Sequence, residues 1–266
     1  VRVRIALLSV LTLLLFRVPA AAAEPPAYTW QDTLDNAKVN RLLADYVKLA
    51  QSEPENFELR LRAAQLCYYA WRLEGESNKR RVELGKLSLK LAKEAVALKP
   101  DAPGGYLWAG SSVALIGLPR GILNSLQLVP DGKAYLEKSI AIDPNYLNGT
   151  GFALMGHAYA VVPGFPLSVG DKNKALAYLA KARKMDPNST LTLLFVGDLF
   201  WSMGKSKEAL DALEEIAAHK PTNELEYFLD ETNKRKAREM IEKIKAGEAR
   251  DPLHDVISDI QPGLVN

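Results

Sequence analysis

Five short phrases punctuate the chain: EPEN, KPDA, DPNY, DPNS and KPTN, with prolines at Pro54, Pro100, Pro144, Pro187 and Pro221. Each closes a stretch whose apolar residues recur every three and four positions, the period of an amphipathic helix. In the first stretch the stripe is Leu34, Val39, Leu42, Leu43, Tyr46, Val47 and Leu49. Proline has no amide hydrogen and pushes the residue before it away from helical angles, so each phrase stops a helix. The prolines stand 46, 44, 43 and 34 residues apart. No segment sustains a two-residue alternation, so there is no sheet to organise the core. A chain divided this way must stack helical units, each covering the face its neighbour leaves open.

The units align residue by residue. The fourth runs Leu193, Val196, Gly197, Phe200, Ala209, Leu213 and Pro221; the third runs Phe152, Met155, Gly156, Tyr159, Ala175, Leu179 and Pro187. The second retains Tyr106, Ala109, Gly110, Leu136 and Pro144, and the first Ala64, Cys67, Ser88, Ala92 and Pro100. The offsets are those of the helix–turn–helix signature W-x2-LG-x2-Y…A-x3-F…P, whose period is about 34 residues. Over residues 35 to 221 the chain therefore resembles the tetratricopeptide repeat (TPR) family. The resemblance implies an all-α fold, a right-handed TPR-type α-solenoid of about four helix pairs. Glycine and alanine at the signature positions let paired helices approach closely while larger residues fill the gaps.

Spacing in excess of that period is 12, 10 and 9 residues in the first three units and zero in the fourth. Most of it falls between paired helices, so the three inserts emerge along one edge of the solenoid. The first, RLEGESNKRRVEL, is charged and suits longer helices. The second, LPRGILNSLQLVPDG, places Ile122, Leu123, Leu126, Leu128 and Val129 as on a short amphipathic helix between prolines. The third, VVPGFPLSVGDKNKAL, is stiffened by Pro163 and Pro166 and hinged by Gly164 and Gly170, with Asp171 placed as the N-cap of the next helix. Two outcomes are expected for its tip: Phe165 and Leu167 fold onto the Leu123 and Leu126 region as a satellite core, or both inserts rim a ligand or partner groove. Tyr69, Trp108 and Trp201 sit on first helices, which line the concave face of such solenoids. They are candidate groove residues as well as candidate core. The tail NELEYFLDETNKRKAREMIEKIK reads as one amphipathic helix, with Tyr227, Phe228, Met240, Ile241 and Ile244 available to cap the stack.

The amino terminus has a different character. VRVR precedes the apolar run IALLSVLTLLLF, and Ala21 and Ala23 follow in an A-x-A arrangement. That is the pattern of a secretory signal peptide covering 1–23, too short for a comfortable membrane span, with a mature chain from Glu24. Domain 24–266 is then a single solenoid, its cap at about 223–266. Loss of Arg2, Arg4 and Arg17 with the leader takes the formal charge from +2 to −1, so nucleic acid is not an expected partner. The lone Cys67 supports no disulfide framework, and no cysteine follows the apolar run to carry a lipid.

Catalytic patterns are missing. His157, His219 and His254 form no metal-ligand spacing, and GDKNKA lacks the frame of a phosphate loop. His157 follows the close-packing Gly156 and reads as structural. Asn148 and Asn188 match glycosylation sequons at helix junctions. The expectation is a protein that binds and does not catalyse, with no cofactor and no metal.

The phrases GFPLSVGDKNKALAYLAKARKMDPNS and FWSMGKSKEALDALEEI resemble the T components associated with TRAP transporters (TatT). The resemblance implies a periplasmic protein that forms oligomers and works beside a substrate-binding protein, handling a small apolar or organic-acid ligand. Members are typically lipoproteins, and this chain lacks the cysteine for it. A general envelope scaffold for protein–protein interaction is the alternative, and an enzyme site grafted on the inserts is a third.

Overall fold

Five of the helices begin where a short polar side chain takes up a free amide. The computed structural model describes residues 25–75, 77–220 and 224–250; the expected leader and the last part of the expected cap lie outside them. The helices are α1 (Asn36–Ser52), α2 (Phe57–Leu73), α3 (Asn78–Leu98), α4 (Pro103–Gly117), the single turn α5 (Ile122–Ser125), α6 (Val129–Ile142), α7 (Thr150–Val161), α8 (Lys172–Met185), α9 (Thr190–Ser202), α10 (Ser206–Glu215) and α11 (Glu224–Lys245). Asp35, Asn56, Ser77, Asp171 and Ser189 each accept an amide of the following first turn. Asp171 takes two, from Asn173 and Lys174, as its position in the sequence predicts.

The stops are equally regular. Glu53, Lys99, Asp143 and Asp186 each follow the last helical residue and precede a proline. Their φ angles are −120°, −136°, −146° and −136°, all outside the helical region. This recurring geometry is the backbone expression of the proline phrases. Pro221 lies outside the described residues.

Paired packing joins α2 to α3, α4 to α6, α7 to α8 and α9 to α10, with α1 preceding the first pair. The pairs share one register. A Cβ on Gly110, Gly156 or Gly197 would fall 2.7, 2.6 and 2.6 Å from Cγ of Leu136, Leu179 and Leu213 respectively. No real Cβ sits that close, so three successive units use the same glycine–leucine contact. Ala175 and Ala209 are fully buried at the equivalent narrow point. The first unit lacks the glycine and uses a small hydroxyl instead: Ser88 Oγ donates to the Ala64 carbonyl at 3.0 Å and accepts from Ser112 of the next unit at 2.7 Å. The chain is thus all-helical, with paired helices packed as in a TPR solenoid. The first insert does what its composition suggests: α2 and α3 are 17 and 21 residues long with a short turn between them.

Helix α11 reaches further than a terminal cap. Its carboxy-terminal half covers the last unit, where Met240 and Ile244 join Leu213, Ile216 and Trp201 in one apolar cluster. Its amino-terminal half reaches the first unit. Phe228 packs on Tyr69 of α2 with ring centroids 4.2 Å apart, and Tyr227 approaches Trp30. Asn233 donates to Thr190 of α9 at 3.3 Å. Buried Asp230 lies 2.8 Å from His219 Nδ1 and 2.7 Å from Lys234 Nζ. The helix therefore runs across the face formed by the first helices, from α9 to α2.

Candidate ligand-binding site between the two inserts

The second insert folds back on the helix it leaves. Ser125 Oγ lies 2.6 Å from the Gly117 carbonyl and 2.7 Å from that of Gly121, which ties α5 to the end of α4. One helical turn at 126–128 then leads into α6. The expected amphipathic helix is thus broken into short pieces. The third insert is pinned at its neck. Gly170 donates to the Pro163 carbonyl at 2.9 Å, and Asp171 to the Tyr159 carbonyl at 3.0 Å. A Cβ on Gly170 would collide with the Val162 carbonyl oxygen, so only glycine closes this neck.

Between these two inserts lies a cavity. Its buried end is formed by Gly110, Val113, Leu136 and Met155, and its side by Ala158 and Tyr159. Leu128, Val129, Val161 and Val162 are half-buried in its wall, and Ala114 and Val169 are at the exposed mouth. The space open to water-sized spheres is about 160 Å³. An apolar cavity of roughly 150 Å³ stays dry and takes benzene, so this one suits a single ring or a short acyl segment.

Most polar side chains in the wall have structural partners, although His157 Nδ1 is buried with no hydrogen bond to that atom among the described residues. Ser111 donates to the Leu107 carbonyl at 2.9 Å. The His157 ring stacks on Phe195, centroids 4.0 Å apart and planes within 10°. Tyr159 stacks on Tyr178 at 5.5 Å, and burial pushes the Tyr178 phenol above its ordinary range. Lys133 holds Glu137 at 2.6 Å, and the hydrogen bond to that carboxylate raises the lysine further. The cation at the wall is therefore permanent but engaged. A ligand carboxylate would have to compete with Glu137 for it.

The sequence-predicted residues fall in several places. Phe165 is 95% exposed and Leu167 66%, so the expected satellite core does not form. The pinned neck holds the tip away from the body, and the valines at the loop's base take up the apolar contacts instead. Leu126 is half-buried, two residues before the cavity residue Leu128 in the same turn. Of Leu123 the backbone belongs to α5, and the side chain lies outside the described residues. Tyr69 is fully buried against Phe228 and forms core rather than groove. Trp201 is core too, its indole donating to the Glu248 carbonyl at 3.0 Å. Trp108 is 6% exposed beside Tyr68, at the edge of a cleft of about 390 Å³ lined also by Glu58, Leu61, Arg62 and Tyr146. These three aromatics were open to either reading, and α11 decides for Tyr69 and Trp201 by covering them. The cavity residues Val161, Val162 and Val169 bracket the loop whose tip drew attention; their apolarity at its base was the available signal.

No family model matches the chain, and no curated protein matches it in sequence. Among solved structures, TTC0263, a thermophilic TPR protein of Thermus thermophilus, superposes with a TM-score of 0.55 at 16% identity, over 78% of this chain and 100% of that one. The crystal structure of MamA aligns over 79% of this chain and 99% of that one, at 16% identity and a TM-score of 0.45, too loose a superposition to argue from. The chain is a TPR-like α-solenoid.

Proposed function

We propose that this solenoid is a non-catalytic ligand-handling protein that takes a small apolar molecule into the cavity between its second and third inserts. The observation behind this reading is the cavity itself. Two inserts that the repeat does not need meet to wall it, and their contribution is almost wholly aliphatic. Ser111, Lys133 and the stacked Tyr159 in the wall are engaged in structural contacts, which favours binding over catalysis. The role in a periplasmic, TRAP-type uptake system, beside a substrate-binding protein, rests on the sequence resemblance alone. A general scaffold would use the concave face, and α11 lies along it, which favours the ligand reading.

An environment-sensitive naphthylamine fluorophore tests this. It should bind the protein with enhanced emission, and Ala158→Phe, which fills the cavity from α7, should weaken binding at least about tenfold while the helical signal is retained. Unchanged affinity in a folded Ala158→Phe protein would remove the cavity as the site.

A further inference from the structure

We propose that the edge bearing loop 162–170 docks on an anionic lipid surface, with Phe165 and Leu167 entering the bilayer interface and a collar of lysines meeting the head groups. The inference starts from exposure without looseness. Phe165, Leu167 and Val169 are 95%, 66% and 43% exposed, yet the loop is closed at its neck by the Gly170-to-Pro163 and Asp171-to-Tyr159 hydrogen bonds. Leu167 and Ser168 donate to the Gly164 carbonyl at 3.1 and 3.2 Å, so the tip is built and cannot fold back. No residue from 161 to 170 carries a charge.

Cations border the base of this tip, with Lys174 lying 3.9 Å from Asp171 and over the Tyr159 ring. Lys172 and Lys174 follow it directly, and Lys172 donates to the Ser202 carbonyl at 2.6 Å. That bond draws in the turn between α9 and α10, with exposed Lys205 and Lys207. The nearby carboxylates are Asp171, occupied as the cap of α8, and Glu208. Across the unit from Pro144 to Asp186, Lys172, Lys174, Lys181, Arg183 and Lys184 stand against the acids Asp171 and Asp186, with Arg183 paired to Glu215 of the next unit.

A protein partner fits these facts less well. Stable interfaces bury about 1,600 Å² and deplete lysine from their cores, whereas this surface is one protruding tip with lysines at its base. An interfacial membrane site needs that combination: apolar side chains to cross the head-group boundary and flexible cations to stay in it. No described helix is long and apolar enough to cross a membrane, so docking here is peripheral. Val169 belongs both to the tip and to the cavity mouth, which places the mouth at the lipid surface. The proposal does not depend on the cavity being occupied.

Vesicle flotation of the full chain tests it, with phosphatidylcholine vesicles that contain or lack phosphatidylglycerol. The wild type should float with the anionic vesicles, less so in high salt. Phe165→Ser with Leu167→Ser should weaken this at least about tenfold, with an unchanged melting temperature. Lys172→Glu with Lys205→Glu should abolish the preference for phosphatidylglycerol. Because the apolar run at the amino terminus could itself bind lipid, a tip-specific readout is added. The Phe165→Trp protein should show tryptophan quenching by brominated lipids beyond that of the wild type. Equal flotation of the Ser double variant, or no added quenching in the Phe165→Trp protein, would overturn the proposal. So would sedimentation showing a dimer that the Ser double variant dissolves while vesicles remain unbound, which would assign the tip to a second copy of the chain.

Discussion

Phe228 and Tyr69 belong to opposite ends of the chain and pack with ring centroids 4.2 Å apart and planes tilted by 33°, both fully buried. Tyr69 lies on α2 in the first unit, and Phe228 on the helix that follows the last. Solenoid units normally touch only their neighbours, so that stability spreads along one dimension. This contact ties the first unit to the last helix. The face left by the first helices is filled from within the chain.

Phe228→Ala should therefore cost about 3–5 kcal/mol, the usual range for removing a buried phenyl group. Urea unfolding followed by circular dichroism measures it. A loss below about 1 kcal/mol would mean that α11 merely rests on the last unit.

The shared glycine–leucine register makes a second test. Ala209 is fully buried, and its carbonyl lies 3.4 Å from where a Cβ of Gly197 would stand. Ala209→Trp forces a large ring into that contact, and overpacking costs roughly 1–3 kcal/mol, more for so great a change of volume. Lys205, exposed at the turn before α10, should tolerate alanine within about 0.5 kcal/mol. Equal melting of the two variants would show the register to be wrong.

The proline phrases and signature residues were enough to place the helix pairs, because both act locally: a proline breaks its own helix and a glycine admits its own partner. Asp171 was legible as a cap for the same reason. Two features were not. The position of α11 depends on how the whole stack curves, which no local pattern encodes, so Phe228 looked like a cap residue and Tyr69 like a groove residue. The loop was misjudged at its tip. Apolarity at Phe165 suggested burial, but the hydrogen bonds at Gly170 and Asp171 decide which residues turn inward, and they select Val161 and Val162 while Val169 stays at the exposed mouth.

Alkaline pH gives a third expectation. Burial pushes the Cys67 thiol from its ordinary 9.0 to about 12, partly opposed by the charge of Arg80. Burial likewise moves Tyr146 from 10.0 to about 12. In both cases the folded state keeps a proton that the unfolded chain has lost. Stability should therefore be intact below pH 9 and fall as pH rises from about 9 to about 12, by up to roughly 1.4 kcal/mol per pH unit for each group. Urea midpoints across that range measure the slope, and Cys67→Ala should make it shallower. In the native state at neutral pH the thiol should resist a disulfide reagent, since it is the thiolate that reacts. Ready modification without unfolding would contradict the burial.

Beyond α11 the chain is held by a second long-range pair. Arg250 places Nε 2.5 Å and Nη2 2.8 Å from the two carboxylate oxygens of Asp198 on α9, with only 9% and 12% of the side chains exposed. The nearby Glu248 carbonyl accepts from Trp201. A two-pronged pair with so little solvent is costly to break from one side, because the surviving ion is left without its partner. Asp198→Ala should lose about 3–5 kcal/mol. Replacing both ions, as Asp198→Leu with Arg250→Met, should cost far less, since an apolar pair of similar volume often matches a buried ion pair. The comparison separates charge from packing: a double variant as unstable as Asp198→Ala would mean that the tail is held by shape, and a stable Asp198→Ala would mean that Arg250 finds solvent when its partner is gone.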